Sequence, residues 1–149
     1  NPERLSGILQ ALAHISSDRP VVLPLHPRTK QYAEKFGLDS YLGYLKTIPP
    51  VSFFDMVTLE KLSYAIITDS GGVQKEAFFY GVPCLTIRDE TEWSETVAEG
   101  GNKLVGSSLL EIAEAYLNVN EMRGVGGNSL SFGNGQAAAA AVDLICSHF

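Results

Sequence analysis

The sequence predicts a doubly wound α/β domain built on a mostly parallel sheet. Short apolar runs alternate with segments of helical periodicity along the chain. Those runs are continuously apolar rather than alternating, the pattern of strands covered on both faces. Polar residues collect at their carboxyl ends, where open α/β sheets bind ligands. The 149 residues fit one domain, taken as 1–149.

Each element has its own warrant. Leu5, Ile8, Leu9, Leu12, Ala13 and Ile15 recur at helical spacing behind Pro2, which suits a helix start. Val21-Val22-Leu23-Pro24-Leu25 reads as a first strand and runs into His26-Pro27-Arg28. Residues 32–36 form a short helix stopped by Gly37. Residues 44–48 are a weaker strand, bounded by Pro49-Pro50. Phe53, Met56, Val57, Leu59 and Leu62 give a second helical stripe. A strand over 64–68, a helix over 72–80 and a strand over 83–87 follow. Residues 88–95 are polar and read as a loop with some helical character. A strand at 103–105 and an amphipathic helix at 109–117 come next. Residues 121–134 are a glycine-rich loop, a candidate mobile segment over 124–135, and residues 136–146 an alanine-rich terminal helix.

Composition narrows the function. The net charge is −6 and no basic stripe exists, so bulk electrostatics do not favour nucleic acid. A small anionic ligand remains open, because helix N-termini and a few local cations can hold one. No apolar run approaches the length of a membrane span, so no membrane partner is expected. Cys84 and Cys146 lie in apolar surroundings and read as reduced, buried thiols of a cytoplasmic protein. No Cys-x-x-Cys or His-x-x-x-His spacing occurs, so neither a metal nor a cofactor is expected. The chain starts at Asn1 without a signal-type segment and reads as a piece of something longer.

Three polar groupings fall at strand ends. Centrally, Asp69-Ser70-Gly71-Gly72 opens a helix with two poor helix formers. Ser70 is a good N-cap, and the first helical N–H groups have no intrahelical acceptor. Two readings stay open: a tight turn that needs glycine, or a cradle for phosphate oxygens. Glu76 lies one turn on, either as a solvated surface carboxylate or as an acceptor for a ribose diol. His26 and Arg28 make either a plain His-Pro turn or a phosphate contact. Arg88 follows a buried strand directly, with Thr91, Glu92 and Glu95 placed either to orient it or to cap a short helix. His14 and His148 carry no functional signal.

The stretch ITDSGGVQKEAFFYGVPCLTIRDETEW, with LPLHPRT and GNKLVG in order, resembles the non-hydrolysing UDP-N-acetylglucosamine 2-epimerases along essentially the whole chain. The resemblance implies a Rossmann-like domain, the C-terminal half of a glycosyltransferase-B-like fold. It also implies a missing N-terminal domain, whose His-Arg-x-Glu-Asn loop would end just before NPERL. Ser70, Gly71 and Gly72 would hold the UDP diphosphate and Glu76 the ribose. Met56 stands where the backbone meets uracil. Arg28 would lie near the phosphates or sugar, and His26 and Arg88 would line the catalytic cleft. The reaction implied is elimination of UDP to a 2-acetamidoglucal, then re-addition after proton exchange at C2, with the carboxylates that move the proton on the missing domain. The fragment alone would then be an inactive, UDP-binding part of an isomerase. Family enzymes are often dimers, so a second copy is an implied partner, though no interface signature is visible. Trp93-Ser94 replaces the family's Arg-Pro and leaves the sugar open, including modified UDP-sugars such as diacetamido uronic acids. Two other readings share the nucleotide half: the donor domain of a glycosyltransferase, and a non-catalytic nucleotide-sugar-binding module.

Overall fold

The computed structural model describes residues 1–127 and 131–148. Helix α1 (Pro2–Ile15) is capped by the Asn1 side chain, which accepts from the Glu3 amide at 2.9 Å. Strand β1 (Val22–Pro24) leads into α2 (Pro27–Lys35), a four-residue α3 (Asp39–Leu42) and β2 (Lys46–Ile48). Helix α4 (Phe53–Leu62) precedes β3 (Ile66–Thr68), α5 (Gly71–Tyr80) and β4 (Cys84–Thr86). The chain continues through α6 (Ser94–Ala98), β5 (Asn102–Leu104), α7 (Leu109–Leu117), a 3-10 turn (Val119–Met122) and α8 (Ala137–His148).

Every strand pair among the described residues is parallel, as continuous apolar runs require. The sheet is split in two: β1 pairs with β2, and β3-β4-β5 form the other part. A cleft of about 460 Å³ separates the parts, lined by Val22 and Leu23 on one side and Ile66 and Ile67 on the other. Ile67 packs against the cores of both parts and bridges them. On one face, α1 and α7 cover the sheet through Ala11, Ile15, Ile112 and Ala115 around Leu85. On the other, Ala77 of α5 packs on Ile66, Val82 and Cys84. The domain is therefore doubly wound, as expected.

Several elements differ from the sequence reading. Helix α2 begins at Pro27 rather than Tyr32, because proline suits the first helical position and His26 caps it. Helix α3 is too short to leave a periodic signal. The loop expected over residues 88–95 gives way at Ser94 to the short helix α6, in keeping with the helical character read there. Helix α4 keeps its expected stripe only in the middle: Met56, Val57 and Leu59 are partly buried, Phe53 and Leu62 at its ends are exposed, and Glu60 is only 2% exposed. Cys84 is buried as expected, but Cys146 is exposed, because no residue of α8 is buried. The glycine-rich segment is irregular beyond the 3-10 turn, and part of it, residues 128–130, lies outside the described residues.

Candidate functional site

The two glycines that open α5 have ordinary helical backbone. Neither has a positive φ, so the tight-turn explanation for them fails. Each instead serves a separate spatial need. A Cβ on Gly71 would meet Glu92 Oε1 at 2.0 Å and Trp93 Nε1 at 3.2 Å, so this glycine lets the loop before α6 close onto the helix. A Cβ on Gly72 would find only Ser70 Oγ at 3.8 Å, so the space before the helix start stays open. Ser70 caps α5 by accepting from the Val73 amide at 3.5 Å, and its own amide donates to Thr68 Oγ1 at 3.0 Å. The result is a hydroxyl, the Gly71 and Gly72 amides, which have no intrahelical acceptor, and a positive helix end at the mouth of β3.

A buried polar network fixes the neighbouring loop. Gln74, fully buried, accepts from Thr91 Oγ1 at 2.6 Å and from Asn102 Nδ2 at 3.2 Å. Asn102 also donates to Thr96 Oγ1 at 3.1 Å and accepts from Thr86 Oγ1 at 2.7 Å. Thr91 accepts from the Trp93 amide at 3.1 Å. The role expected of Thr91 as a helix cap is thus taken partly by this turn, and Trp93 occupies the N-cap of α6. Sequence reasoning passed over Gln74. Its signal was position: it lies three and four residues before Ala77 and Phe78, on the buried face of α5.

Arg88 is ion-paired with Glu92 at 2.9 Å, and its side chain is one-third exposed. Glu92 is held below the usual carboxylate range by its own backbone amide, with Arg88 beside it. Asp89 reaches back to Arg4 of α1 at 3.2 Å. The second and third polar groupings therefore meet: Gly71 touches Glu92 and Trp93, and Thr91 holds Gln74. The first grouping stands apart. His26 Nδ1 accepts from the Arg28 amide at 3.2 Å, and the Arg28 guanidinium lies 5.7 Å from the Tyr32 ring centre. Among the described residues, no hydrogen bond or ion pair joins either residue to the other two groupings.

Met56 and Glu60, one turn apart on α4, both line the cleft between the sheet parts. Both Glu60 carboxylate oxygens are buried without a hydrogen-bond partner. Burial, then the nearby Glu76 carboxylate, pushes Glu60 up to about 7. Glu76 itself is half-buried on α5. Glu60 was also missed from the sequence, where a glutamate between Leu59 and Lys61 reads as surface. No group of three or more potential metal ligands occurs among the described residues. No helix among them is long and apolar enough to cross a membrane.

A family model described as UDP-N-acetylglucosamine 2-epimerase matches residues 1–146. A UDP-N-acetylglucosamine 2-epimerase homolog of Methanococcus maripaludis is 41% identical over 146 residues, covering 96% of this chain and 40% of that protein. The UDP-2,3-diacetamido-2,3-dideoxy-D-glucuronate 2-epimerase of Pseudomonas aeruginosa is 48% identical over 116 residues, covering 77% of this chain and 32% of that enzyme. Among solved structures, Methanocaldococcus jannaschii UDP-GlcNAc 2-epimerase in complex with UDP-GlcNAc and UDP superposes with a TM-score of 0.81 at 35% identity. That superposition covers 99% of this chain and 41% of the solved one. The chain thus spans about two-fifths of the length of such relatives. Sequence and fold together show that this chain belongs to the UDP-N-acetylglucosamine 2-epimerase family.

Proposed function

We propose that the chain is the UDP-binding, C-terminal half of a UDP-sugar 2-epimerase. The observation that carries this reading is the opening of α5. Ser70 caps the helix, Gly72 leaves its mouth open, and Glu76 lies one turn further on. A diphosphate at that mouth would accept from the first-turn amides and the Ser70 hydroxyl, and the ribose diol would donate to Glu76.

The chemistry follows from what such a cradle does best. Breaking the anomeric C–O bond leaves negative charge on the departing diphosphate. A positive helix end and preorganised N–H donors stabilise that charge as it develops. Arg88 would join them from the β4 end by exchanging Glu92 for a phosphate oxygen, and Arg28 and His26 would close on the ligand from β1. The acid–base groups that exchange the C2 proton would come from a preceding domain, so this chain alone would bind UDP without turning a sugar over. Cytoplasmic residence and pairing with a second copy complete the reading. In the full-length protein, turnover of UDP-N-acetylglucosamine in deuterated water tests it. Deuterium at C2 of the product is expected; transfer of the sugar to an acceptor without C2 labelling contradicts it.

A second reading concerns the sugar alone. The match to the Pseudomonas diacetamido-glucuronate epimerase, with Trp93 packed at the mouth of α5, favours a modified UDP-sugar. Turnover rates on the two UDP-sugars, compared side by side, decide between them.

A further inference from the structure

The nucleotide reading leaves one buried group unused. Glu60 is among the most enclosed charged residues of the chain, 2% exposed, and neither carboxylate oxygen has a hydrogen-bond partner among the described residues. An ionised carboxylate in that condition is costly, so the group must take a proton or find one nearby. What surrounds it decides where that proton is felt. From α5 come the Glu76 carboxylate and the Tyr80 phenol; from β4 comes the Cys84 thiol. The nearest cation on its own helix, Lys61, lies 4.9 Å from the centre of the Tyr80 ring, leaving the Glu60 oxygens unpartnered. Glu60 also shares the cleft lining with Met56, one helical turn earlier.

We propose that Glu60 is the positioning residue for Glu76: it carries a proton, donates it to the Glu76 carboxylate and so holds Glu76 turned towards the ribose of a bound uridine nucleotide. This rests on the reading of α5 as the nucleotide cradle. Protonated Glu60 donates to one Glu76 oxygen and leaves the other to accept from the ribose diol. When Glu60 loses its proton, two like charges face each other beside an anionic ligand, and the pair separates. Binding therefore takes up or retains one proton, and affinity declines as pH rises through neutrality. The Tyr80 phenol and the Cys84 thiol, which also face Glu60, do not titrate in that window. Burial raises the Tyr80 phenol and pushes Cys84 up to about 12.

The test uses the full-length protein and UDP-N-acetylglucosamine, whose diphosphate diester does not titrate near neutrality. Calorimetric affinity is measured from pH 6 to 8.5 for the natural protein, Glu60→Gln and Glu60→Leu. The Glu60 carboxyl carbon is titrated by NMR without ligand. The proposal predicts a Glu60 midpoint near neutrality, lowered by Glu76→Gln. It predicts a loss of affinity of about thirtyfold for one linked proton across that range, approaching tenfold per pH unit above the midpoint. Glu60→Gln, which still donates, gives a flat profile at high affinity, and Glu60→Leu gives a flat profile weaker than the natural protein at pH 6. A Glu60 midpoint at ordinary carboxylate pH, or a Glu60→Gln profile that keeps the natural slope, overturns the inference while leaving the nucleotide reading intact. A near-neutral midpoint with no binding at any pH overturns the nucleotide reading, and the inference with it.

Discussion

Thr91 donates its hydroxyl to the buried Gln74 carbonyl oxygen at 2.6 Å, across seventeen positions of sequence. This one bond couples the loop that carries Arg88, Glu92 and Trp93 to the helix that opens with Gly71 and Gly72. The candidate site is thus held from below by a polar network rather than by its own exposed residues.

Breaking that bond has a predictable cost. Thr91→Val leaves the Gln74 oxygen with Asn102 alone and removes the acceptor of the Trp93 amide. Urea denaturation should show a loss of about 1–3 kcal/mol. Gln74→Ala should cost at least as much, since it strands donors from both Thr91 and Asn102 and opens a void in a fully buried place.

Gly72 separates stability from binding. Its backbone is helical and a Cβ there meets open space, so Gly72→Ala should raise folding stability by about 0.5–1 kcal/mol. The same methyl group projects into the helix mouth and should weaken UDP binding at least tenfold. Chemical denaturation and calorimetry on one protein sample check both halves. Gly71→Ala behaves differently: its Cβ displaces Glu92 from its place beside Arg88.

Stability should also fall as pH rises through neutrality. Glu60 sits at about 7 in the folded protein, above the unfolded value of roughly 4.3. The folded state therefore binds the proton more tightly. That contribution is fully present below the unfolded value and is lost as pH climbs through 7. Urea midpoints for the natural protein should decline between about pH 5 and 8, and Glu60→Gln should flatten that decline.

The two thiols should react very differently. Burial pushes Cys84 up to about 12, and the side chain is fully enclosed, whereas Cys146 is exposed on α8. A thiol reagent at pH 8 should modify one cysteine rapidly and the other only after denaturant is added. Mass spectrometry of tryptic peptides assigns them.

The local structure of the candidate site was legible because N-capping and helix polarity act over a few residues. Ser70, Gly71 and Gly72 follow a strand and start a helix within that distance. The parallel topology was legible for a similar reason, since burial on both faces leaves continuous apolar runs such as residues 83–87. What escaped depends on contacts between distant segments. Glu60 is buried by the packing of α4 on α5, although its neighbours Phe53 and Leu62 are exposed. Gln74 matters because Thr91 and Asn102 arrive from seventeen and twenty-eight positions away. Cys146 was misjudged because an apolar helix signals a need for burial without saying what provides it, and among the described residues none buries any part of α8.

The central claim, that the opening of α5 is a nucleotide-diphosphate cradle, is tested most directly by titrating the ¹⁵N-labelled chain with UDP and following amide shifts. The account predicts progressive shifts of Ser70, Gly71, Gly72 and Val73, with Glu76 and Met56 moving along the same binding curve. Unchanged amides from Ser70 to Glu76 at millimolar UDP would contradict it.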